Sequence, residues 1–418
     1  MSQCPFANLL DPDTYAEGMP YESLRELRNA GPVVRMEDPL TGVPYWVVTR
    51  HAELDYVSKN PALFSSAERT AVPMEYDQDM VEGIHRSTII NMDPPLHQKV
   101  RRIVRNAFTP KRVESYEPRF REHARHIVDA VAGRGECEFV EEVAAELPLI
   151  AILELLGVPL EDRKKFFEWT NTMIFADDPD MSVSEEEGQL AAAEVMMYAM
   201  QLAAQHRESP MDNITGALLD ATLDGEPISE EMFGWMFILI LVGGNESTRT
   251  VIAQGMRLLM EHPDQLQYLV ENPDRIEGAC EEILRYNTAF ISMRRTAMED
   301  VELGGAHIKK GDKVLLHYHA ANHDEEIFGD DAMIFDVTRP ERMPDLYNQL
   351  RSFGIGQHFC IGSHLARLEL RIMFEEIIPR LRNPRFAAPP KFVRSFFVNA
   401  MKEMPITFDP EVADASAA

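Results

Sequence analysis

The chain has 418 residues, and its 69 acidic against 41 basic side chains give a formal net charge of −28. This charge argues against nucleic acid or an anionic membrane as a general partner, because either surface binds a basic face. No run of residues approaches the roughly 18 to 20 consecutive apolar side chains that a membrane span needs. With no linker and no internal repeat, we expect one domain over residues 1–418, with flexible ends at 1–20 and 410–418.

The four cysteines lie far apart in the sequence, and none of them forms a C-x-x-C pair. Their spacing, with no secretory leader ahead of them, predicts a cytoplasmic protein without disulfides. We expect it to be a monomer.

The N-terminal third is predicted to alternate helices with short strands. Helical spacing runs over residues 21–30 and stops at Gly31-Pro32, strands are expected over 33–36 and 45–49, and a helix over 51–58. A turn at Asp93-Pro94-Pro95 precedes a basic helix predicted over residues 98–108. His97 and Arg101 are four residues apart and share one face of it.

The middle of the chain is predicted to be helical, and its longest helix begins after Ser229 and ends near Glu261. At ~1.5 Å per residue this helix would span about 50 Å. Its centre contains Gly243-Gly244, although an interior glycine costs about 1 kcal/mol relative to alanine. Close helix packing is one way to compensate that cost.

The C-terminal part mixes short strands with two further helices. Helices are expected over residues 276–286 and 365–381, a hairpin between 301–303 and 313–318 across Gly311-Asp312, and a strand over 392–399 that returns at 406–408. His317, His319 and His323 invite a metal site, which we disfavour because no suitably spaced carboxylate or thiolate completes it.

One cysteine, Cys360, stands in a glycine-rich loop directly ahead of a helix. The segment 352–362 reads Ser-Phe-Gly-Ile-Gly-Gln-His-Phe-Cys-Ile-Gly. Backbone N–H groups and the positive end of the helix dipole stabilise a thiolate at such a position, and the thiolate is the form that ligates a metal. A lone cysteine is more often a small buried side chain, but the surrounding Gly, Phe and His residues favour a ligand.

The segment Phe-Gly-x-Gly-x-His-x-Cys-x-Gly resembles the haem-ligand loop of the cytochrome P450 family, and the resemblance extends over about residues 21–408 with the soluble bacterial members as the closest likeness. It implies a mainly helical α+β fold with small sheets, a long central helix over the haem, and haem b as cofactor. The expected cofactor-binding residues are His97, Arg101, Gly243, Arg295, Phe353, His358, Cys360 and Gly362, with Cys360 as the iron ligand. Arg294 remains an alternative to Arg295.

Other segments match the same family at compatible spacing. The centre of the long helix matches a motif implying a proton relay through Glu246 and Ser247, with Ser247 in place of the usual threonine and Thr248 as an alternative alcohol. There the family implies a local widening of the helix over the haem. Glu282, Arg285 and Arg339 match a buried ion network that supports the cysteine loop.

The resemblance implies a haem-thiolate monooxygenase that inserts one atom of dioxygen into a hydrophobic small molecule, with terpenoid or sterol-like substrates favoured. The predicted pocket residues are Met74, Met173, Met236, Ile240, Phe290, Ile291, Phe396 and Phe397. Alternatives of the same fold are an aromatic O-demethylase, a peroxygenase and a non-catalytic haem sensor.

The sequence has neither a dinucleotide fingerprint nor iron–sulfur cysteine spacing, so electrons must come from a separate protein. A ferredoxin or flavodoxin would suit a local basic patch on an acidic protein. The predicted patch consists of Arg102, Arg105, Lys111, Arg112 and Arg371.

Overall fold

The computed structural model of the protein describes residues 6–38, 41–75, 81, 87–175, 178 and 184–411. The first helices are α1 (Tyr21–Ala30), α2 (His51–Lys59), α3 (Leu96–Arg105), α4 (Pro110–Glu114), α5 (Glu117–Ala132), α6 (Glu146–Leu156), α7 (Arg163–Ile174), α8 (Glu185–Glu208) and α9 (Ile214–Leu219). They are followed by α10 (Glu230–Glu261), α11 (Pro263–Glu271), α12 (Ile276–Tyr286), α13 (Tyr318–Ala321), α14 (Glu325–Phe328), α15 (Arg339–Arg342), α16 (Leu346–Gln349) and α17 (Ser363–Arg380). The mainly helical fold with small sheets that the sequence predicts is confirmed.

The long central helix predicted from the sequence is α10. Ser229 caps its start, because the hydroxyl accepts the backbone N–H of Met232 at 3.1 Å. The helix then continues without interruption to Glu261, and His262 follows as its C-cap. It is α-helical along its whole length, so the local widening implied by the family resemblance is not seen.

Two glycines of α10 allow neighbouring helices to approach its backbone closely. A Cβ atom on Gly234 would lie 1.8 Å from the Sδ of Met196 in α8, and one on Gly255 would lie 2.7 Å from a ring carbon of Phe374 in α17. Side chains larger than hydrogen would push these neighbours away. The glycines therefore let α8 and α17 pack directly on the backbone of α10.

The strands are β1 (Val33–Glu37), β2 (Pro44–Val48), β3 (Phe64–Ser65), β4 (Glu136–Glu138), β5 (Thr222–Leu223), β6 (Glu226–Pro227), β7 (Ser292–Ala297), β8 (Val301–Leu303), β9 (Ala306–Ile308), β10 (Lys313–His317), β11 (Arg382–Phe386), β12 (Lys391–Phe392), β13 (Met401–Glu403) and β14 (Pro405–Asp409). The largest sheet has the order β1-β2-β10-β7-β3. In it β10 runs parallel to β2 and antiparallel to β7.

The predicted hairpin between residues 301–303 and 313–318 is wrong. β8 pairs with β9 instead, across Gly304 and Gly305, whose φ angles are +56° and +79°. Two successive left-handed residues form the tight turn that joins hairpin strands. This nearer turn takes β8, so β10 is free to join the five-stranded sheet.

The strand predicted over residues 392–399 is wrong, because β12 ends at Phe392, and the return strand predicted at 406–408 is present as β14 but pairs elsewhere. Phe392 pairs with Met401 in the β12–β13 hairpin, while β14 lies between β11 and β4. Ile406 and Phe408 form the buried face of β14. Strands β4 and β11 are short and polar and lack a clear alternation of apolar and polar residues. The sequence therefore does not predict the three-stranded sheet that they form with β14.

The two chain ends were predicted to be flexible, and that flexibility stays a prediction. Within residues 6–20, Leu9, Leu10 and Tyr15 are buried. Residues 1–5 and 412–418 lie outside the described part of the chain. Among the residues that are described, no helix combines the length and the apolar character required to cross a membrane.

Candidate active site

The loop between α16 and α17 presents Cys360. Its backbone N–H donates to the carbonyl of Phe353 at 2.8 Å, which closes the loop. Gly354 and Gly356 have φ angles of +66° and +73°, a region that residues with a Cβ atom rarely adopt. A Cβ atom on Gly356 would also lie 2.7 Å from the carbonyl oxygen of Ser58. Glycine is therefore required at 356 both by the backbone angle and by the approach of α2.

Cys360 has solvent-accessible surface, although many protein atoms surround it. Burial raises the pKa of the thiol, while the Gly362 N–H and the guanidinium groups of Arg101 and Arg367 lower it. Arg101 is fixed near the loop because its Nη2 donates to the Phe359 carbonyl at 2.6 Å. The net effect is a raised thiol pKa, and the Gly362 N–H and the two guanidinium groups are the contacts that would stabilise a thiolate.

Four basic side chains predicted from separate parts of the sequence lie near this loop: His97, Arg101, Arg295 and His358. The ring centroids of His97 and His358 are 4.3 Å apart. Burial, with Arg101 and Arg295 nearby, lowers the pKa of His97 to about 4. Burial also places the pKa of His358 well below its usual value, with Arg295, His97 and Arg101 adding to the effect. The cluster therefore brings hydrogen-bond donors and positive charge together in a largely buried part of the structure.

The structure separates the neighbouring Arg294 and Arg295. Arg294 Nη1 donates to a carboxylate oxygen of Glu75 at 2.9 Å, and Lys313 pairs with the same carboxylate at 2.9 Å. Arg295 is buried and lowers the pKa of His358. Arg295 therefore belongs to the basic cluster, and Arg294 ties Glu75 to the sheet.

The predicted ion network is present and completely buried. Glu282 accepts hydrogen bonds from Arg285 at 2.7 and 2.8 Å and from Arg339 at 3.1 and 3.2 Å, and all three side chains are 0% exposed. Arg285 also donates to the Asn322 carbonyl at 2.9 Å, and the Asn322 amide donates to the Ser352 hydroxyl at 2.8 Å. A continuous chain of hydrogen bonds thus connects the network to the first residue of the cysteine loop.

The two adjacent glycines at the centre of α10 have different surroundings. A Cβ atom on Gly244 would lie 2.7 Å from Cδ1 of Ile152 in α6. A Cβ atom on Gly243 would meet no atom of the described chain within 4 Å. Close packing therefore explains Gly244, whereas Gly243 faces open space.

Ser247 is the alcohol that shares this open side. It lies one turn after Gly243, is half-buried, and donates its hydroxyl to the Gly243 carbonyl at 2.7 Å. Thr248 is 3% exposed and is turned about 100° away along the helix. The geometry therefore places Ser247, and not Thr248, beside the space at Gly243.

Glu246 is buried on the side of α10 that faces α7. Its Oε1 accepts from Arg249 Nη1 at 3.1 Å and from the Asn245 amide at 3.3 Å, while its Oε2 has no hydrogen-bond partner among the described residues. Burial raises the pKa of the Glu246 carboxyl, and Arg249 lowers it. In this structure Glu246 is hydrogen-bonded to Arg249 and Asn245, and Ser247 is hydrogen-bonded to the Gly243 carbonyl.

The predicted pocket residues fall into separate environments. Phe290 and Phe397 pack together with ring centroids 5.0 Å apart, in one cluster with Phe175. Phe396 packs instead against the N-terminal cluster that contains Leu9. The others divide into the half-buried Met74, Met173 and Ile240 and the fully buried Met236 and Ile291.

The three histidines considered for a metal site serve the fold. His317 accepts the backbone N–H of Ala320 at 3.1 Å and so caps α13, and His323 Nδ1 lies 2.9 Å from the carbonyl of His319. In the described ranges, no group of His, Cys, Asp and Glu residues is placed to hold a metal ion. The shared strand face inferred for His317 and His319 is wrong, because β10 ends at His317.

The fold and this site define a cytochrome P450. The family model for Cytochrome P450 matches residues 163–390, which is more than half of the chain. The chain belongs to this family, as the cysteine loop predicts, and is a monooxygenase that depends on haem iron.

Two bacterial monooxygenases and one solved structure are similar to nearly the whole chain. The chain is 39% identical over 406 residues to the steroid C26-monooxygenase of Rhodococcus jostii, with 95% of this chain and 84% of that protein covered. It is 33% identical over 410 residues to the linalool 8-monooxygenase of Pseudomonas putida, with 97% and 99% covered. A Mycobacterium marinum cytochrome P450 in complex with pseudoionone superposes with a TM-score of 0.87 at 31% identity, covering 98% of this chain and 100% of that one.

The residues present fit a haem. The buried Nδ1 of His97 has no partner among the described residues, and the acidic neighbour of the basic cluster, Asp93, already accepts the Ser66 N–H at 2.9 Å. The cluster therefore has capacity for further anionic groups, which matches the two carboxylates of a haem. The accessible surface at Cys360 and the open space at Gly243 match what an iron ligand and a flat macrocycle would need.

Three polar residues of this site were not singled out from the sequence. Arg367 lowers the pKa of the Cys360 thiol, and Arg249 pairs with Glu246. Asn171 of α7 accepts a hydrogen bond from Arg249 at 2.7 Å. The i, i+3 spacing of Glu246 and Arg249 is visible in the sequence and was a usable signal. The role of Asn171 depends on the packing of two distant helices.

Proposed function

We propose that the enzyme hydroxylates a terminal methyl carbon of a hydrophobic, methyl-branched molecule of the terpenoid or sterol type. The observation that carries the proposal is the open side of α10 at Gly243, flanked by apolar Ile240 before it and the Ser247 hydroxyl after it. Apolar walls with few polar groups position a substrate by shape. C26 of a steroid and C8 of linalool, the carbons in the names of the two relatives, are both terminal methyl positions.

The proposed cofactor is haem b, whose iron the Cys360 thiolate would hold. When bound, the haem supplies dioxygen activation and oxygen insertion. His97, Arg101, Arg295 and His358 would bind its carboxylates, which charge-assisted hydrogen bonds favour. Phe353, Gly362 and Gly243 are the further residues assigned to the cofactor site.

The chain itself must deliver protons to the open side of α10. Ser247 would hold one at its Oγ, and Glu246 is the acidic residue directly before it in α10. General acid catalysis of this kind contributes about 10²- to 10⁴-fold to a rate. We assign Ser247 as the donor at the site and Glu246 as its supply.

Electrons would arrive from a ferredoxin-type protein at a basic patch smaller than the sequence suggests. Arg102, Arg105 and Lys111 are exposed on and beside α3. Arg371, by contrast, is paired with Glu117 at 2.9 Å, so its charge is neutralised locally. Opposite charge mainly speeds the encounter of two proteins.

The proposal also covers the domain organisation, location, oligomeric state and loop support of the enzyme. Residues 1–418 form one domain, the enzyme acts in the cytoplasm, and it acts as a monomer. The ion network Glu282, Arg285 and Arg339 supports the cysteine loop through Asn322 and Ser352.

The test is a titration of the ferric enzyme with cholesterol, linalool and pseudoionone, read as the low-to-high spin shift of the haem, followed by product analysis. We expect at least one to shift the spin state and to be hydroxylated at a terminal methyl. Phe397→Ala should weaken its binding by about tenfold, a loss of ~1.4 kcal/mol. Phe396→Ala is the matched control and should bind as wild type. If none of the three compounds binds or reacts, the substrate assignment is wrong.

A further inference from the structure

A buried polar network links α7 to the acid of the proposed proton relay. Arg249 Nη1 contacts both the Glu246 carboxylate at 3.1 Å and the Asn171 side-chain oxygen at 2.7 Å. The Asn245 amide contacts the same carboxylate and also the Thr170 hydroxyl at 3.2 Å. Two neighbouring residues of α7 therefore hold the two donors that fix Glu246.

Arg249 is buried, and it is the charged side chain that contacts Glu246 in the described part of the chain. A buried ion pair is costly to dehydrate and is weak support for stability alone. Here the pair holds Oε1, leaves Oε2 without a partner among the described residues, and favours the ionised carboxylate, which has no proton to give to Ser247. The contact sets the resting position of the acid.

The same guanidinium lies against Phe175, whose cluster includes the predicted pocket residues Phe290 and Phe397. Its Cζ is 5.2 Å from the ring centroid of Phe175. Phe175 is buried in the cluster against which Phe290 and Phe397 pack. A ligand seated on Phe290 and Phe397 would therefore press on the ring that supports Arg249.

We propose that Arg249 is a positioning residue that couples substrate occupancy to the relay acid. Held by Asn171 and Phe175, it keeps Glu246 engaged when the pocket is empty, and displacement of the Phe175 cluster by substrate loosens that engagement. Proton delivery then follows substrate binding. This inference rests on the proposed role of Glu246 as the relay acid and adds the residue that regulates it, Arg249.

The protonation of Glu246 provides a readout that does not depend on turnover. The infrared carbonyl band of its protonated carboxyl is isolated as the difference between wild type and Glu246→Gln, and is followed against pH in the ferric enzyme without added ligand. Because Arg249 lowers the pKa of Glu246, Arg249→Met should raise the midpoint by about 1 to 3 pH units. Arg257→Met is the matched control, since Arg257 pairs with Glu261 on the same helix.

The second arm adds saturating cholesterol, or linalool if linalool gives the larger spin shift. We expect the ligand to move the Glu246 midpoint in wild type. In Asn171→Ala the ligand should still shift the haem spin state but no longer move the midpoint. If Arg249→Met does not retain the cofactor, Arg249→Lys, expected to give a smaller rise, takes its place.

The outcomes separate this inference from the proposed function. A midpoint that does not move in the Arg249 variants overturns it, and so does a ligand that shifts the spin state of wild type without moving the Glu246 midpoint. In that second case the substrate assignment stands. Absence of any spin shift counts against the substrate assignment, while the ligand-free arm still decides whether Arg249 controls Glu246.

Discussion

The adjacent glycines of α10 offer a matched pair of substitutions, Gly243→Ala and Gly244→Ala. Both exchange glycine for alanine in the interior of one helix, so both gain the same helix propensity, about 1 kcal/mol. They differ only in what the new methyl group meets. At 243 it meets open space, and at 244 it meets Ile152.

The expected difference follows from the packing distances. The added Cβ at 244 would lie 2.7 Å from Cδ1 and 3.0 Å from Cγ1 of Ile152, closer than carbon atoms approach without displacement. Overpacking of this kind costs about 1 to 3 kcal/mol. In the haem-free protein, Gly243→Ala should therefore raise stability by about 1 kcal/mol, and Gly244→Ala should be about 1 to 3 kcal/mol less stable than Gly243→Ala.

Urea unfolding of both variants measures the difference, and Ile152→Val in each background tests its cause. Ile152→Val alone costs about 0.5 to 1.5 kcal/mol, and it should cost less, or become favourable, beside Gly244→Ala. Gly243→Ala should weaken the spin-shift response to ligand despite its higher stability. Equal stabilities for the two alanine variants would refute the packing assigned to these glycines.

Three further predictions concern the relay, the ion network and acid stability. Ser247→Ala should slow product formation by about 100-fold and divert electrons to hydrogen peroxide, measured as product per reductant consumed, with a smaller effect for Thr248→Ala; equal effects would contradict the assignment. Arg339→Met should cost about 3 to 5 kcal/mol of unfolding free energy in urea, because Glu282 loses one of its two cations, and a loss below 1 kcal/mol would count against a supporting role. His317 is buried with its pKa lowered to about 3, so it stays neutral in the folded protein while the unfolded chain takes up a proton below about pH 6.5. The buried neutral His317 therefore lowers no stability above pH 6.5. Below that pH, protonation of the unfolded chain reduces the free energy of unfolding, by about 2 kcal/mol at pH 5. His317→Asn should show a smaller loss of unfolding free energy between pH 7 and pH 5.

Much of the helical framework was accessible from sequence because its signals are local. The Ser229 cap and the stop near Glu261 fix the ends of α10, and Gly31-Pro32 ends α1. The cysteine loop was accessible for a related reason, since its glycines, aromatic residues and Cys360 are contiguous in the chain.

Strand partners and side-chain directions were less accessible because they depend on distant segments. Gly304-Gly305 outcompeted the Gly311 turn, and this changed the partner of β10. The choice between Arg294 and Arg295 required the position of Glu75, which only the fold brings near. The contact between Asn171 and Arg249 joins residues 78 positions apart.

The central claim is that Cys360, as a thiolate, ligates the haem iron. The absorption spectrum of the reduced protein under carbon monoxide tests it most directly, with Cys360→His as the comparison. The account predicts a Soret band with the strong red shift of thiolate ligation in wild type and loss of that shift in Cys360→His. A wild-type band without the red shift would contradict it.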